Sequence, residues 1–316
     1  MGIGGYFELE LRPGTDYHSS ALKLNSGRNA FQYILITKNY RSIYLPYFTC
    51  SSIIEAAQKL GVRIRFYYID EYFIPIFNFK SIDKDEAFLF INYFGICDHI
   101  VSSLAEKCPN LIIDNSQAFF AKPVPEIDTF YSARKFFGVP DGAYLYLNNV
   151  SAERLLDLHV GKSVSRFGHL ITRIEQGPEA GYKLFKKNNN ILAQETIQHM
   201  SVLTDKMLHG IDYQHVIERR RANFGILHNS LREINDLSLT LATDSVPMVY
   251  PLLCINPALK SKLLKNKVYV PTYWPNILKD NESNCLEYKF ADQILHLPID
   301  QRYGEVEMKK ILQIIV

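Results

Sequence analysis

A chain of 316 residues with 47% hydrophobic content can bury one large core and a smaller one beside it. Its 35 basic and 33 acidic residues give a formal net charge of +2, which argues against the one-sided basic surface of a nucleic-acid-binding protein. Five cysteines without C-x-x-C spacing speak against a disulfide framework and a zinc site, and no apolar run is long enough to span a bilayer.

In chain order, residues 6–11 read as an extended, β-like lead. The stretch Asn25-Ser26-Gly27-Arg28-Asn29 then precedes apolar positions at 30, 31, 34 and 35, the spacing of a helix. A glycine at a helix start lets the backbone approach an anion, and the free N–H groups there favour phosphate. An ordinary cap by Ser26 or Asn25 explains the same residues. Strands over 43–46, 62–69 and 87–94 alternate with helices over 51–60 and 101–107. This βαβα rhythm predicts a mostly parallel sheet with helices on both faces. No G-x-G-x-x-G follows an early strand, so the dinucleotide fingerprint is missing.

The stretch 111–147 organises the rest. An apolar run ends abruptly on Asp114, followed by Asn115-Ser116-Gln117. A second strand is expected over 127–131. Ser132-Ala133-Arg134-Lys135 then leads to a turn at 138–142 and a strand over 143–147. A carboxylate at the end of a buried strand sits where open α/β sheets bind ligands. A lysine flanked by Phe136 and Phe137 can reach the same crevice, and those rings should desolvate it. An acid and a lysine so arranged suit pyridoxal 5'-phosphate (PLP). The lysine forms the Schiff base, and the acid keeps the pyridine nitrogen protonated. The pyridinium beside Asp114 should keep it ionised and lower its pKa.

Beyond residue 150 the chain turns helix-rich, with a loop over 177–181, a long pattern over 191–209 and a helix over 213–234. Arg219-Arg220-Arg221 reads as a helix face, and residues 219–223 suit a junction between domains more than any chemistry. Strands return over 248–255, 268–270 and 293–297, with helices over 258–265 and 305–314. The expected division is residues 1–150 as a large α/β domain, 151–235 as a helical connection continuing it, and 236–316 as a small α+β domain. His159, His169 and His199 have no carboxylate or cysteine at metal-ligand spacing, so no metal is expected.

Several stretches, in order, resemble the fold-type I PLP-dependent enzymes, and among them the DegT-like sugar aminotransferase family. They are Ser26 to Ala30, Leu45-Pro46-Tyr47-Phe48-Thr49-Cys50, Asn92-Tyr93-Phe94-Gly95, Asp114-Asn115-Ser116-Gln117, Ser132-Ala133-Arg134-Lys135 and Leu297-Pro298-Ile299-Asp300-Gln301-Arg302-Tyr303. The resemblance implies a PLP-dependent transferase-like α/β fold of the aspartate aminotransferase type. It implies Lys135 and Asp114 as catalytic residues. Gly27, Arg28 and Ser132 would lie on the cofactor phosphate, Gln117 near the ring hydroxyl, and Cys50 over the ring. Arg302 is a candidate for a substrate carboxylate, with a structural salt bridge as the alternative.

The implied activity moves an amino group from an amino acid to a keto-sugar in polysaccharide or nucleotide-sugar metabolism. The protein would be a soluble, cytoplasmic homodimer with shared sites and neither membrane nor nucleic-acid partner. A cofactor-binding protein without turnover, and a PLP-dependent sugar dehydratase, are the alternatives. Three departures stand out. The serine lies closer to Lys135 than the family's usual spacing, and the chain is short for the family. Cys50 also replaces the usual stacking aromatic, so Tyr47, Phe48 or Tyr93 is left to stack.

Overall fold

The computed structural model describes residues 3–279 and 284–316. Strand β1 (Leu22–Leu24) runs into helix α1 (Gly27–Lys38), capped by the Ser26 side chain, which accepts the Asn29 N–H. The predicted apolar positions Ala30, Phe31, Ile34 and Leu35 are all buried. Next come β2 (Ser42–Pro46), α2 (Ser51–Lys59), β3 (Arg63–Ile69), β4 (Pro75–Ile76), β5 (Glu86–Ile91) and α3 (Asp98–Ala105). Then β6 (Leu111–Asp114), β7 (Asp128–Ser132) and β8 (Ala143–Tyr146) complete the large sheet.

Its strand order is β1-β8-β7-β6-β5-β2-β3-β4. The run from β3 through β2, β5 and β6 to β7 is parallel. Strands β8 and β1 on one side, and β4 on the other, are antiparallel to their neighbours. The α/β sheet is therefore mostly parallel, as predicted. Strands β2, β5 and β6 are buried throughout, so they read as continuous apolar runs rather than alternations.

Helices α4 (Gly168–Gln176), α5 (Pro178–Gln194), α6 (Val202–His209) and α7 (Tyr213–Leu231) follow. Strand β9 (Val249–Leu253), α8 (Pro257–Lys265), α9 (Leu286–Gln293), β10 (Ile294–Pro298) and α10 (Glu305–Ile315) close the chain, with β9 and β10 antiparallel. Two apolar clusters result. The larger surrounds the eight-stranded sheet. The smaller joins Phe224, Leu227 and Leu231 of α7 to β9, α8, β10 and α10.

Several predicted elements differ. Residues 6–11 form no strand, because no neighbouring strand takes up their backbone groups. The pattern over 191–209 is split. Helix α5 ends at Gln194, and His199 bridges to Leu24 and Val160 before Ser201 caps α6. The loop over 177–181 shrinks to Gly177, since Pro178 already suits the first turn of α5. Residues 268–270 keep an alternating burial without joining a ladder.

Candidate functional site

The register of the parallel strands brings their carboxyl ends to one edge. Ile91 is paired with Asp114, and Asp114 with Phe130 two residues before Ser132. The segments after β2, β5, β6 and β7 therefore converge where the topology of an open sheet leaves a crevice. Sharp turning after β5 depends on Gly95. Its φ is +72°, and an added Cβ would lie 2.9 Å from the Gln117 carbonyl oxygen. Phe94, at φ 56°, begins that turn, so β5 stops at Ile91 rather than continuing to 94.

Asp114 is buried, and one carboxylate oxygen accepts the Ser116 N–H at 2.8 Å. Burial pushes this carboxyl above its usual range, against the pull of the Ser116 bonds and of the Lys135 charge. The lowering expected from a pyridinium beside Asp114 belongs to the cofactor-bound site; in the chain alone, desolvation outweighs the Lys135 charge. The Lys135 charge also acts on the Cys50 thiol, as does Asp114, so the three side chains share one neighbourhood. Burial is the largest influence on that thiol and raises its pKa.

Lys135 ends a single 3-10 turn, Ala133–Lys135, that follows β7 directly, and it is exposed. Phe136 and Phe137 do not desolvate it. Both turn into the core against Phe119, Phe120 and Tyr213 or under the Arg220 guanidinium. Residues on an irregular turn need not share a face, and adjacency in sequence misled here. The ring that does meet the lysine is Tyr273, whose centroid lies 4.9 Å from Nζ. No local pattern around 273 announced this, because the contact is between residues far apart in the chain.

Gln117 is buried, and its Oε1 accepts the Phe94 N–H at 2.9 Å. Its Nε2 is buried without a partner among the described residues, as is Thr49 Oγ1. At the α1 N-terminus, a Cβ on Gly27 would meet Ser116 Oγ at 3.3 Å and Ser132 Cβ at 3.7 Å. Gly27, Ser116 and Ser132 thus line one small cradle. The Arg28 side chain turns away to α2, donating to Ser52 Oγ at 2.9 Å with Glu55 at 4.0 Å.

Arg134, given no role from the sequence, is held by Asn189. Its Nε is buried without a partner among the described residues. Burial brings its pKa down to about 10, with Arg166 and Arg28 adding to the effect.

Of the ring-stacking candidates, Phe48 and Tyr93 stack on each other at 5.4 Å and lie in the core, whereas Tyr47 is half-buried against Phe66 and Tyr68. Arg302 forks onto Asp300 at 2.7 and 2.9 Å. Its neighbour Gln301 reaches the site region instead, donating to the Phe136 carbonyl at 2.9 Å. Among the described residues, Asp16, Asp205 and His209 have metal-ligand proximity. The Lys23 ammonium already lies 2.7 and 2.6 Å from the two carboxylates, so a cation is built in. No helix of the described residues is long and apolar enough to cross a membrane.

No family model matches this sequence, and no curated protein matches it. Solved structures do match it. The sugar aminotransferase CalS13 from Micromonospora echinospora superposes with a TM-score of 0.63 at 14% identity, covering 94% of this chain and 87% of that one. A DegT DnrJ EryC1 StrS aminotransferase from Brucella abortus gives 0.62 at 15% identity, covering 93% and 84%. AtS13 from Actinomadura melliaura gives 0.65 at 13% identity, covering 94% and 86%. At this identity the likeness is one of architecture: the chain has the α/β fold of these structures.

Proposed function

We propose that the chain is a PLP-dependent aminotransferase acting on a keto-sugar-type acceptor with an amino-acid donor, in polysaccharide or nucleotide-sugar metabolism. The reading rests on Asp114, Cys50 and Lys135 meeting at the carboxyl edge of the sheet, beside a cradle at Gly27. The residues present fit the cofactor. The unpartnered Nε2 of Gln117 is a buried donor suited to a ring oxygen, and Gly27 sets the α1 N-terminus against Ser116 and Ser132, backbone and hydroxyl donors suited to a phosphate. Two of the solved structures named above are described as aminotransferases, one of them as a sugar aminotransferase.

PLP, when bound, supplies the electron sink that stabilises a carbanion at the donor Cα. Lys135 would supply the amine that attaches the cofactor and the base that moves a proton at the donor Cα. The Asp114 carboxylate would hold the ring nitrogen protonated. That cation would in turn favour the ionised acid, opposing the effect of burial. Gly27 and Arg28 N–H groups and the Ser132 hydroxyl would hold the phosphate, with the Arg134 guanidinium adding positive charge nearby. Arg302 meets a substrate carboxylate only by sharing or leaving Asp300. The working form is a cytoplasmic homodimer whose second copy covers the exposed Lys135, with residues 1–150 as the cofactor domain, 151–235 continuing it and 236–316 as the small domain.

The test is spectroscopic. Purified protein with PLP should show a visible band that bleaches with glutamate and is absent from Lys135→Ala. A full band in Lys135→Ala would overturn the assignment.

A further inference from the structure

Resting on that reading, we propose that Tyr273 is a positioning residue that holds the Lys135 amine by the face of its ring. The Lys135 ammonium lies 4.9 Å from the ring centroid, within the range where a cation is attracted to an aromatic face. Lys135 is exposed and sits on a one-turn helix, so little else fixes its long stem. Tyr273, by contrast, is clamped. His296 of β10 meets its ring edge-on at 4.6 Å, and Phe94 lies nearly parallel at 6.5 Å.

The segment bearing it is anchored on both sides. His296 Nδ1 is 3.0 Å from the Pro271 carbonyl, and the buried Trp274 packs edge-on against Phe48 at 4.8 Å. Burial pushes the His296 pKa down to about 3, so at neutral pH Nδ1 carries the proton and donates to that carbonyl. Asn276 adds a bond to the Thr49 carbonyl at 3.0 Å, tying the segment to the loop that carries Cys50. A rigid aromatic ring thus faces a flexible lysine. An amine that must detach and return between half-reactions needs such a resting place, since loose placement costs rate.

The contact can be read without the cofactor. Limited acetylation of the apo-protein, followed by peptide mass spectrometry, reports how freely the Lys135 amine reacts relative to exposed Lys59. A ring face that holds the ammonium slows acetylation. Tyr273→Phe keeps the face and should match the wild type. Tyr273→Leu removes it and should label Lys135 about two- to fivefold faster. Should the leucine variant not fold, pentafluorophenylalanine at 273 preserves shape while withdrawing electron density from the face, and it should give the same acceleration.

In the cofactor-loaded protein, Tyr273→Leu should keep the visible band and lower kcat more than it changes the donor KM. Unchanged Lys135 labelling in the fluorinated variant overturns the inference, whatever the kinetics show. A wild type that forms no band with PLP removes the proposed function instead, and leaves the labelling comparison to decide the contact.

Discussion

Asp114 carries an internal conflict at the scale of a single residue. Burial raises its pKa in the folded chain, so folding favours the protonated acid. Its contribution to stability is present below the unfolded carboxyl pKa and lost as pH rises through the folded value. Asp114→Asn should therefore stabilise the apo-protein at pH 8 and flatten part of its decline in Tm as pH rises above the ordinary carboxyl range. The same variant should lose roughly 100-fold or more in kcat, because an amide cannot hold the ring nitrogen protonated. A Tm that drops at pH 8 would mean the carboxylate is stabilised by something other than the contacts described.

At the scale of elements, the α1 N-terminus makes the next prediction. A methyl group on Gly27 would crowd Ser116 Oγ at 3.3 Å and touch Ser132 Cβ at 3.7 Å. Gly27→Ala should leave the fold intact, yet weaken PLP binding about tenfold, or ~1.4 kcal/mol, in an apo-protein titration. Unchanged affinity would place the phosphate elsewhere.

What was legible in the sequence follows the same division. Helix α1, the parallel strands and the abrupt stop at Asp114 were readable because buried strands and amphipathic helices write their period into the chain. Gly27, Ser116 and Ser132 lie close to these readable ends. Tyr273, His296 and Gln301 approach from across the fold, and no local period marks a contact made at that separation. Phe136 and Phe137 show the reverse error: adjacent to Lys135 in sequence, they pack away from it in the core.

The whole molecule holds two apolar clusters, and its buried histidines set its tolerance to acid. Burial brings His18 to about 4 and His296 to about 3, from an ordinary value near 6.5. Both fold neutral, so their contribution is present above pH 6.5 and lost as pH falls towards those values. By pH 5 the unfolded chain has taken up both protons and the native chain neither, a loss of about 2 kcal/mol for each residue. Urea unfolding at pH 7 and pH 5 should show it, and equal midpoints would contradict the burial of these rings.

Arg220 connects the clusters. It was read only as one of three arginines on a helix face, but its side chain is 1% exposed. Its Nη1 donates to the Met248 carbonyl at 2.9 Å and to the Pro247 carbonyl at 3.4 Å, and its Nε donates to Gln301 at 3.1 Å. The guanidinium covers the Phe136 ring at 4.5 Å, one residue beyond Lys135. Burial lowers its pKa only to about 10, with Asp300 opposing, so it stays charged at neutral pH.

Arg220→Ala leaves a cavity and strands two carbonyls and an amide oxygen. It should cost about 3–5 kcal/mol. Arg220→Met keeps most of the volume and loses only the bonds and the charge, so it should cost less. If Arg220 is what couples the clusters, its loss should also split one urea transition into two. The cluster of α7, β9, α8, β10 and α10 would then unfold apart from the sheet. A single transition shifted by less than 1 kcal/mol in Arg220→Ala would show that the clusters are joined by apolar packing alone.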